Sequence, residues 1–378
     1  MKILLVGVSV RALATSAVQS GYEVVALDAF GDLDLQALCE GYSLRRDFGK
    51  AYSAQAIISA SQKLQFDTVA YTASFENYPS LVGAVGKRGI LLGNPPEVLR
   101  RVRNWPELFE KLVKAQIRVP ETLYSLKGRR PDPQRTWLRK PRRGGGGQHI
   151  EIWHEGQPIG RGQLLQERLE GTVCSALFVA NGREAVLLGL TEQLVGRPEF
   201  GAQGFMYCGN ILPLDTGNAG TSVVEQASQI TRLLTREFGL AGVNGMDFIL
   251  SKGEIYPIEV NPRYTAAMEL VERAYGLPVF DLHVRAVTHG ELPDFNLAKA
   301  RGKAPGFHAK TILYAKKNGR APDTHGWMAR GLRDVPHPGE ALLSGKPICT
   351  ILTSAETWTG CLSNLTDEAE AIKGEIND

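Results

Sequence analysis

The chain has 378 residues, 43% hydrophobic and 22% charged, with a formal net charge of +3. That is ordinary globular composition, long enough for two or three lobes with cores of their own. The near balance of charge excludes a general polyanion binder, so no nucleic-acid partner is expected, and no apolar stretch approaches the roughly 18 residues of a membrane span.

The elements follow in chain order. A short buried strand over 3–6 leads into a helix over 12–20 that ends at Gly21, and a second strand covers 23–27. The apolar run after Lys2 is too short for a signal peptide, and Ser9 and Arg11 behind it fit a turn and a helix. Strands at 68–71 and 89–92, each with helical stretches before it, complete a βαβ alternation that implies a parallel, doubly wound sheet. Gly93-Asn94-Pro95-Pro96 closes it, and one helix is expected over 96–116. A strand-rich region follows, at 136–140, 164–167, 175–180 and 185–190. A long amphipathic helix over 222–238 separates it from strands at 246–250 and 254–260, and two further strands lie at 309–314 and 345–352. Five cysteines (Cys39, Cys174, Cys208, Cys349, Cys361) are scattered without a C-x-x-C pair. They imply neither a disulfide framework nor a zinc site, and the expected compartment is the reducing cytoplasm.

Three constellations carry chemistry. The first is Gly245-Met246-Asp247-Phe248-Ile249 followed by Ile258-Glu259-Val260-Asn261-Pro262-Arg263. Joined through Ser251-Lys252-Gly253 as a three-residue loop, the two strands pair Leu250 with Glu254 and set Asp247 opposite Pro257. Glu259 is then two residues along the same face and Asn261 two further. Two carboxylates and an amide oxygen on one face suit magnesium, whose shell substrate phosphates complete. Arg263 continues the face and reaches a transferring phosphate. A solvated hairpin is the bland alternative, which the apolar residues between the acids oppose.

The second is the strand 136–140 ending in Lys140, with Gly144, Gly145, Gly146 and Gly147 after it. Backbone N–H groups of such a loop can close over phosphates beside an ammonium. It is not a Walker A loop, and by itself it fits a flexible surface loop equally well. The third is Leu164-Leu165-Gln166-Glu167-Arg168-Leu169-Glu170-Gly171, an apolar strand that turns polar and ends in glycine.

Lysine and glycine loop, Gln–Glu hinge, then Asp and Glu-x-Asn-x-Arg on a late hairpin resemble, in that order and spacing, the ATP-grasp superfamily. The resemblance covers most of the chain. It implies an α/β and α+β architecture: a doubly wound parallel-sheet domain over 1–95, an ATP-grasp domain over 96–295 in two subdomains split near 165, and a small, mainly β C-terminal domain over 296–378 similar to that of biotin-carboxylase-like members. More closely, Gly7-Val8-Ser9-Val10-Arg11-Ala12, Phe75-Glu76-Asn77 and Asn261-Pro262-Arg263-Tyr264-Thr265 resemble predicted ATP-dependent carboligases associated with one-carbon carrier cofactors of the tetrahydromethanopterin and methanofuran type.

By that resemblance, Lys140 contacts ATP phosphates, Gly144 to Gly147 form the closing loop, and the Gln166–Glu167 hinge with Leu169 holds adenine. Asp247, Glu259 and Asn261 ligate Mg2+, two ions being expected with Mn2+ able to substitute, and Arg263 stabilises the transferred phosphoryl group. The implied reaction joins a small-molecule carboxylate to an amine through an acyl phosphate. A homodimer is within the family's range. Ser9, Arg11 and Glu76, at strand ends of the first domain, and Tyr264, with Glu269 after the hairpin, are the candidates for substrate contacts. For Ser9 and Arg11, an ordinary helix start is the competing reading.

Two departures stand out. Thr172 and Val173 occupy the place of the acid that often holds ribose, and Arg103-Asn104-Trp105 stands where many members carry a second ATP lysine, so Arg101 or Arg103 is the candidate substitute. Three alternatives remain open. A bicarbonate-activating carboxylase fits the C-terminal resemblance, and a catalytically dead nucleotide-binding protein fits the missing ribose acid. A dinucleotide-dependent oxidoreductase meets Gly7 and Asp28 but fails at Ser9, where the fingerprint requires glycine.

Overall fold

The computed structural model describes residues 1–127, 130–216 and 220–377. Strands β1 (Lys2–Val6), β2 (Glu23–Asp28), β3 (Glu40–Ser43), β4 (Thr68–Tyr71) and β5 (Ile90–Leu92) form a parallel sheet in the order β3-β2-β1-β4-β5. Because side chains alternate along a strand, Ile3 and Leu5 enter one core while Leu4 and Val6 enter the other. Both faces are covered, as parallel sheets require.

One expected element is two. The stretch 96–116 breaks into helices Pro96–Val102 and Trp105–Lys114, with Asn104 as the cap of the second. Pro106 has no N–H to offer the Val102 carbonyl one turn back, and its ring clashes there, so a continuous helix cannot form. The break leaves Arg103 at the junction.

A four-stranded antiparallel sheet follows in the order β6-β9-β7-β8, built from β6 (Thr122–Leu123), β7 (Trp137–Pro141), β8 (Glu151–Trp153) and β9 (Gln163–Glu167). The largest sheet has seven antiparallel strands in the order β14-β13-β10-β11-β12-β15-β18: β10 (Thr172–Asn181), β11 (Ala185–Val195), β12 (Tyr207–Leu212), β13 (Ala241–Ser251), β14 (Glu254–Asn261), β15 (Phe307–Tyr314) and β18 (Pro347–Ala355). The segment after residue 296 thus extends the central sheet. It also contributes a ribbon of β16 (Gly319–Arg320) and β17 (Ala341–Leu342), and a helix Trp358–Asn377 against β15 and β18 that the sequence reading did not place.

The faces of the large sheet have different fates. Cys174, Ala176, Phe178 and Ala180 of β10 pack with Val223, Ala227, Ile230, Leu234 and Phe238 of the helix Gly220–Phe238, whose spacing is helical. Leu177 and Val179 face the other way, toward helices Met268–Tyr275 and Val279–His289 and the first sheet. Ser175 and Asp247 lie directly opposite each other across β10 and β13 on that second face. Among the described residues, no helix is long and apolar enough to cross a membrane.

Candidate active site

The hairpin β13–β14 departs from its expected register. Its loop is two residues, Lys252 (φ 52) and Gly253 (φ 80), both left-handed as a type I′ turn requires, so Ser251 pairs with Glu254. A bulge then shifts the ladder between Asp247 and Phe248, so Asp247 lies opposite Glu259 rather than Pro257, which pairs with Phe248. Pro257 lacks an N–H for the ladder and sits beside the irregularity. Two corrections of register thus bring the two carboxylates face to face, closer than the sequence reading had them.

Polar partners hold Asp247. Ser175 Oγ donates to Oδ1 at 2.8 Å, Gln193 Nε2 donates to the same oxygen at 2.9 Å, and Asn261 Nδ2 donates to Oδ2 at 2.9 Å. Burial, and then the charge of Glu259, push its carboxyl up to about 6 against those hydrogen bonds. Glu259 goes the other way: burial raises it, but Arg103 and Lys140 outweigh that and hold it below the usual carboxylate range. Arg103 Nη1 donates to Glu259, and its Nη2 donates to Asn77 Oδ1 at 2.9 Å. Arg101 instead lies on the surface with Glu107.

The donor set fits a magnesium site. Two carboxylates repel each other across the ladder, which a divalent cation relieves, and the hard-oxygen chemistry is right. Among the described residues no group of three or more His, Cys, Asp or Glu forms a protein cage, so a cation here would need oxygens from elsewhere to complete its shell. Asn261 spends its amide between Asp247 and Arg263, whose Nη2 donates to Asn261 Oδ1 at 3.2 Å.

Lys140 is 6% exposed, and its Nζ donates to Gln166 Oε1 at 2.9 Å while lying 5.3 Å from the Trp105 ring centre. Burial pushes its pKa down, opposed by Glu259 and Asp247. The glycine loop folds over it. Asn77 Nδ2 donates to the Gly144 carbonyl at 3.3 Å, and the Tyr207 N–H to the Gly146 carbonyl at 3.0 Å. At Gly147 (φ +69) a Cβ would fall 1.7 Å from the Phe205 carbonyl oxygen, so only glycine allows this approach. The pocket lined by Arg103, Lys140, the loop and Glu259 has a volume of about 30 Å³, room for a water. At the hinge the Glu167 N–H donates to the Glu121 carbonyl at 2.8 Å, so that N–H is already taken.

Of the substrate candidates, Glu76 joins the site: its Oε1 is 2.9 Å from Arg263 Nη2. Arg11 does not. It is 1% exposed, pairs with Glu269 through Nη1 and Nη2, meets Asp334 at 3.1 and 3.2 Å, and lies 3.5 Å from Asp34. Its charge fastens three parts of the chain to one another. Ser9 Oγ donates to Asp334 at 3.3 Å in that second cluster, and the Tyr264 hydroxyl donates to Glu272 at 3.4 Å. Glu269 is taken up by Arg11 and by Lys310 at 2.6 Å. Cys208, near the site in motif order, is a buried thiol that donates to the Leu194 carbonyl at 3.2 Å and is pushed by burial up to about 11, which leaves it unreactive.

Sequence reasoning missed Ser175, Gln193 and Asn77. A polar residue in an otherwise apolar strand, such as Ser175 in β10, was the available signal.

Comparison with known proteins agrees with this geometry. Residues 103–267 match the family model described as an ATP-grasp domain. An uncharacterized protein of Methanocaldococcus jannaschii is 22% identical, over 93% of this chain and 88% of its own. The arginine-specific carbamoyl phosphate synthase large chain of Geobacillus stearothermophilus is 24% identical over 37% of this chain, which spans only 13% of that much longer enzyme. Among solved structures, biotin carboxylase from Campylobacter jejuni, as a β-γ-ATP complex, superposes with a TM-score of 0.73 at 12% identity, over 99% of this chain and 91% of that one. At that identity the likeness speaks for the fold alone. The stretch similar to the ATP-grasp model, residues 103–267, holds Arg103, Lys140, the glycine loop, Asp247, Glu259 and Arg263.

Proposed function

We propose that the protein is an ATP- and magnesium-dependent ligase that activates a carboxylate as an acyl phosphate and passes the acyl group to an amine. The observation that carries this reading is the facing pair Asp247 and Glu259, with Lys140, Arg103 and Arg263 around it. Phosphoryl transfer asks little covalent help from a protein; it needs alignment and neutralised charge. Lys140 and Arg103 offer cations to the phosphates, and Arg263 to the transferring group. Bound at Asp247, Glu259 and Asn261, two magnesium ions would supply further neutralisation of the phosphate oxygens. In the first step a carboxylate oxygen forms a bond to the γ-phosphorus and ADP leaves with the electron pair of the broken P–O bond. In the second, the amine lone pair forms the C–N bond, the acyl C–O bond breaks onto phosphate, and the proton lost by nitrogen departs on that phosphate. The closed glycine loop would shield the acyl phosphate from water.

A second reading takes bicarbonate as the acid. The likeness to biotin carboxylase over nearly the whole chain, including the segment after residue 296, favours it. A place in one-carbon carrier biosynthesis rests on the sequence resemblance alone.

The test is release of ADP and phosphate from ATP-Mg with pooled acids, including glutamate, and pooled amines, each beside Glu259→Gln. Release that needs an acid and an amine and vanishes in the variant supports the ligase. Release that needs bicarbonate promotes the second reading, and retained activity in Glu259→Gln sinks the metal assignment.

A further inference from the structure

Among the described residues, six buried side-chain polar atoms have no hydrogen-bond partner, and four of them, Glu76 Oε2, Arg103 Nε, Arg263 Nε and Thr265 Oγ1, belong to one neighbourhood. Glu76 holds Arg263 through its other oxygen at 2.9 Å. The next residue, Asn77, holds Arg103 at 2.9 Å. Thr265 lies two residues past Arg263, packed on the β13 backbone at Gly245, where an added Cβ would come within 2.8 Å of its methyl. An unpaired buried polar atom costs about 1–3 kcal/mol, and native proteins keep few. A single water can satisfy one or two such atoms; four of mixed sense on facing elements suit a polar ligand better.

Their senses divide the ligand. Two guanidinium N–H groups suit anionic oxygens, whereas the carboxylate oxygen accepts only and the hydroxyl can accept. Building on the acyl-phosphate reading above, we propose that Glu76 Oε2 and the Thr265 hydroxyl bind the N–H groups of the acyl acceptor. That acceptor is then a primary amine with at least two hydrogens on nitrogen, brought in from the side of the N-terminal sheet beside Arg263.

The experiment titrates ammonium as the probe amine, with the pooled acids and bicarbonate, and separately titrates ATP, in the wild-type chain, Glu76→Gln and Thr265→Val. Glu76→Gln keeps an oxygen for Arg263 but sets an N–H donor in place of an acceptor. It should raise the KM for ammonium at least tenfold and change the KM for ATP less than threefold; Thr265→Val, nearly equal in shape, should raise the ammonium KM about threefold. Parallel rises in both KM values, or a fall in kcat with the ammonium KM unchanged, overturn the proposal and leave Glu76 only a prop for Arg263. If Glu76→Gln does not fold, Thr265→Val decides alone on the same criterion. A wild-type chain whose ADP release needs no acid fails the ligase reading itself, and this proposal falls with it.

Discussion

Asp247 and Glu259 are direct partners across the bulged hairpin, one carboxyl pushed up to about 6 and the other held below its usual range. The difference comes from their neighbours: Arg103 and Lys140 serve Glu259, while Asp247 has neutral donors and a negative charge opposite. As pH falls through about 6, Asp247 takes up a proton and would no longer serve the proposed magnesium site. Magnesium affinity in the presence of ATP should then drop about tenfold per pH unit, read by calorimetry at several pH values. Asp247→Asn should abolish that dependence. Both Asp247→Asn and Glu259→Gln should lower turnover by about 100-fold or more; Asp247→Asn should melt near wild type because it removes charge from a crowded pair, whereas Glu259→Gln should melt lower because it leaves the buried Arg103 without its carboxylate.

Gly147 tests the loop. Alanine there meets the Phe205 carbonyl at 1.7 Å and a φ of +69, so the closed position is lost. Gly147→Ala should raise the KM for ATP about tenfold or more, a loss of about 1.4 kcal/mol. Gly145, with no atom within 4 Å of an added Cβ and an ordinary φ, is the control, and Gly145→Ala should behave as wild type. Equal effects at both positions would argue against a closing loop.

Arg11 separates structural from substrate roles. Its removal leaves Glu269, Asp334 and Asp34 buried near one another with less positive charge. Breaking such a network costs about 3–5 kcal/mol. Arg11→Met should therefore lower the denaturant midpoint sharply while the folded remainder keeps its KM for ATP and for amine. A raised substrate KM with unchanged stability would return Arg11 to the substrate site.

His283 gives the fold a pH dependence of known sign. Its Nδ1 accepts the Val243 N–H at 2.9 Å and its Nε2 lies 3.1 Å from the Leu92 carbonyl, tying the large sheet to the first one. Burial pushes it down to about 4 from 6.5. A base depressed on folding adds stability that is present above the unfolded value and lost as pH falls through the folded one. The unfolding free energies of wild type and His283→Gln should therefore converge between pH 6.5 and 4, by on the order of 3 kcal/mol. A constant gap across that window would refute the assignment.

Local pattern in the chain determined four of the five strands of the first parallel sheet (β3, Glu40–Ser43, was not among them), the long helix behind the large sheet, and the presence of Lys140, the glycine run and the acids of the hairpin. Periodicity and turn chemistry act within about a dozen residues, so one sequence displays them. Even there the hairpin slipped, because a Lys252–Gly253 turn and a bulge beside Pro257 each move the register by a residue. Tertiary structure alone decided the partnerships. Arg103, rather than Arg101, meets Glu259 because Pro106 breaks the helix beside it, and Glu76 reached Arg263 because the first sheet docks against the second face of the large one. Arg11, with an equal claim on the sequence, is spent on Glu269 and Asp334. Which charge meets which is set by sheet order and by packing between segments far apart in the chain, and the energy of a buried ion depends on every neighbour it meets there.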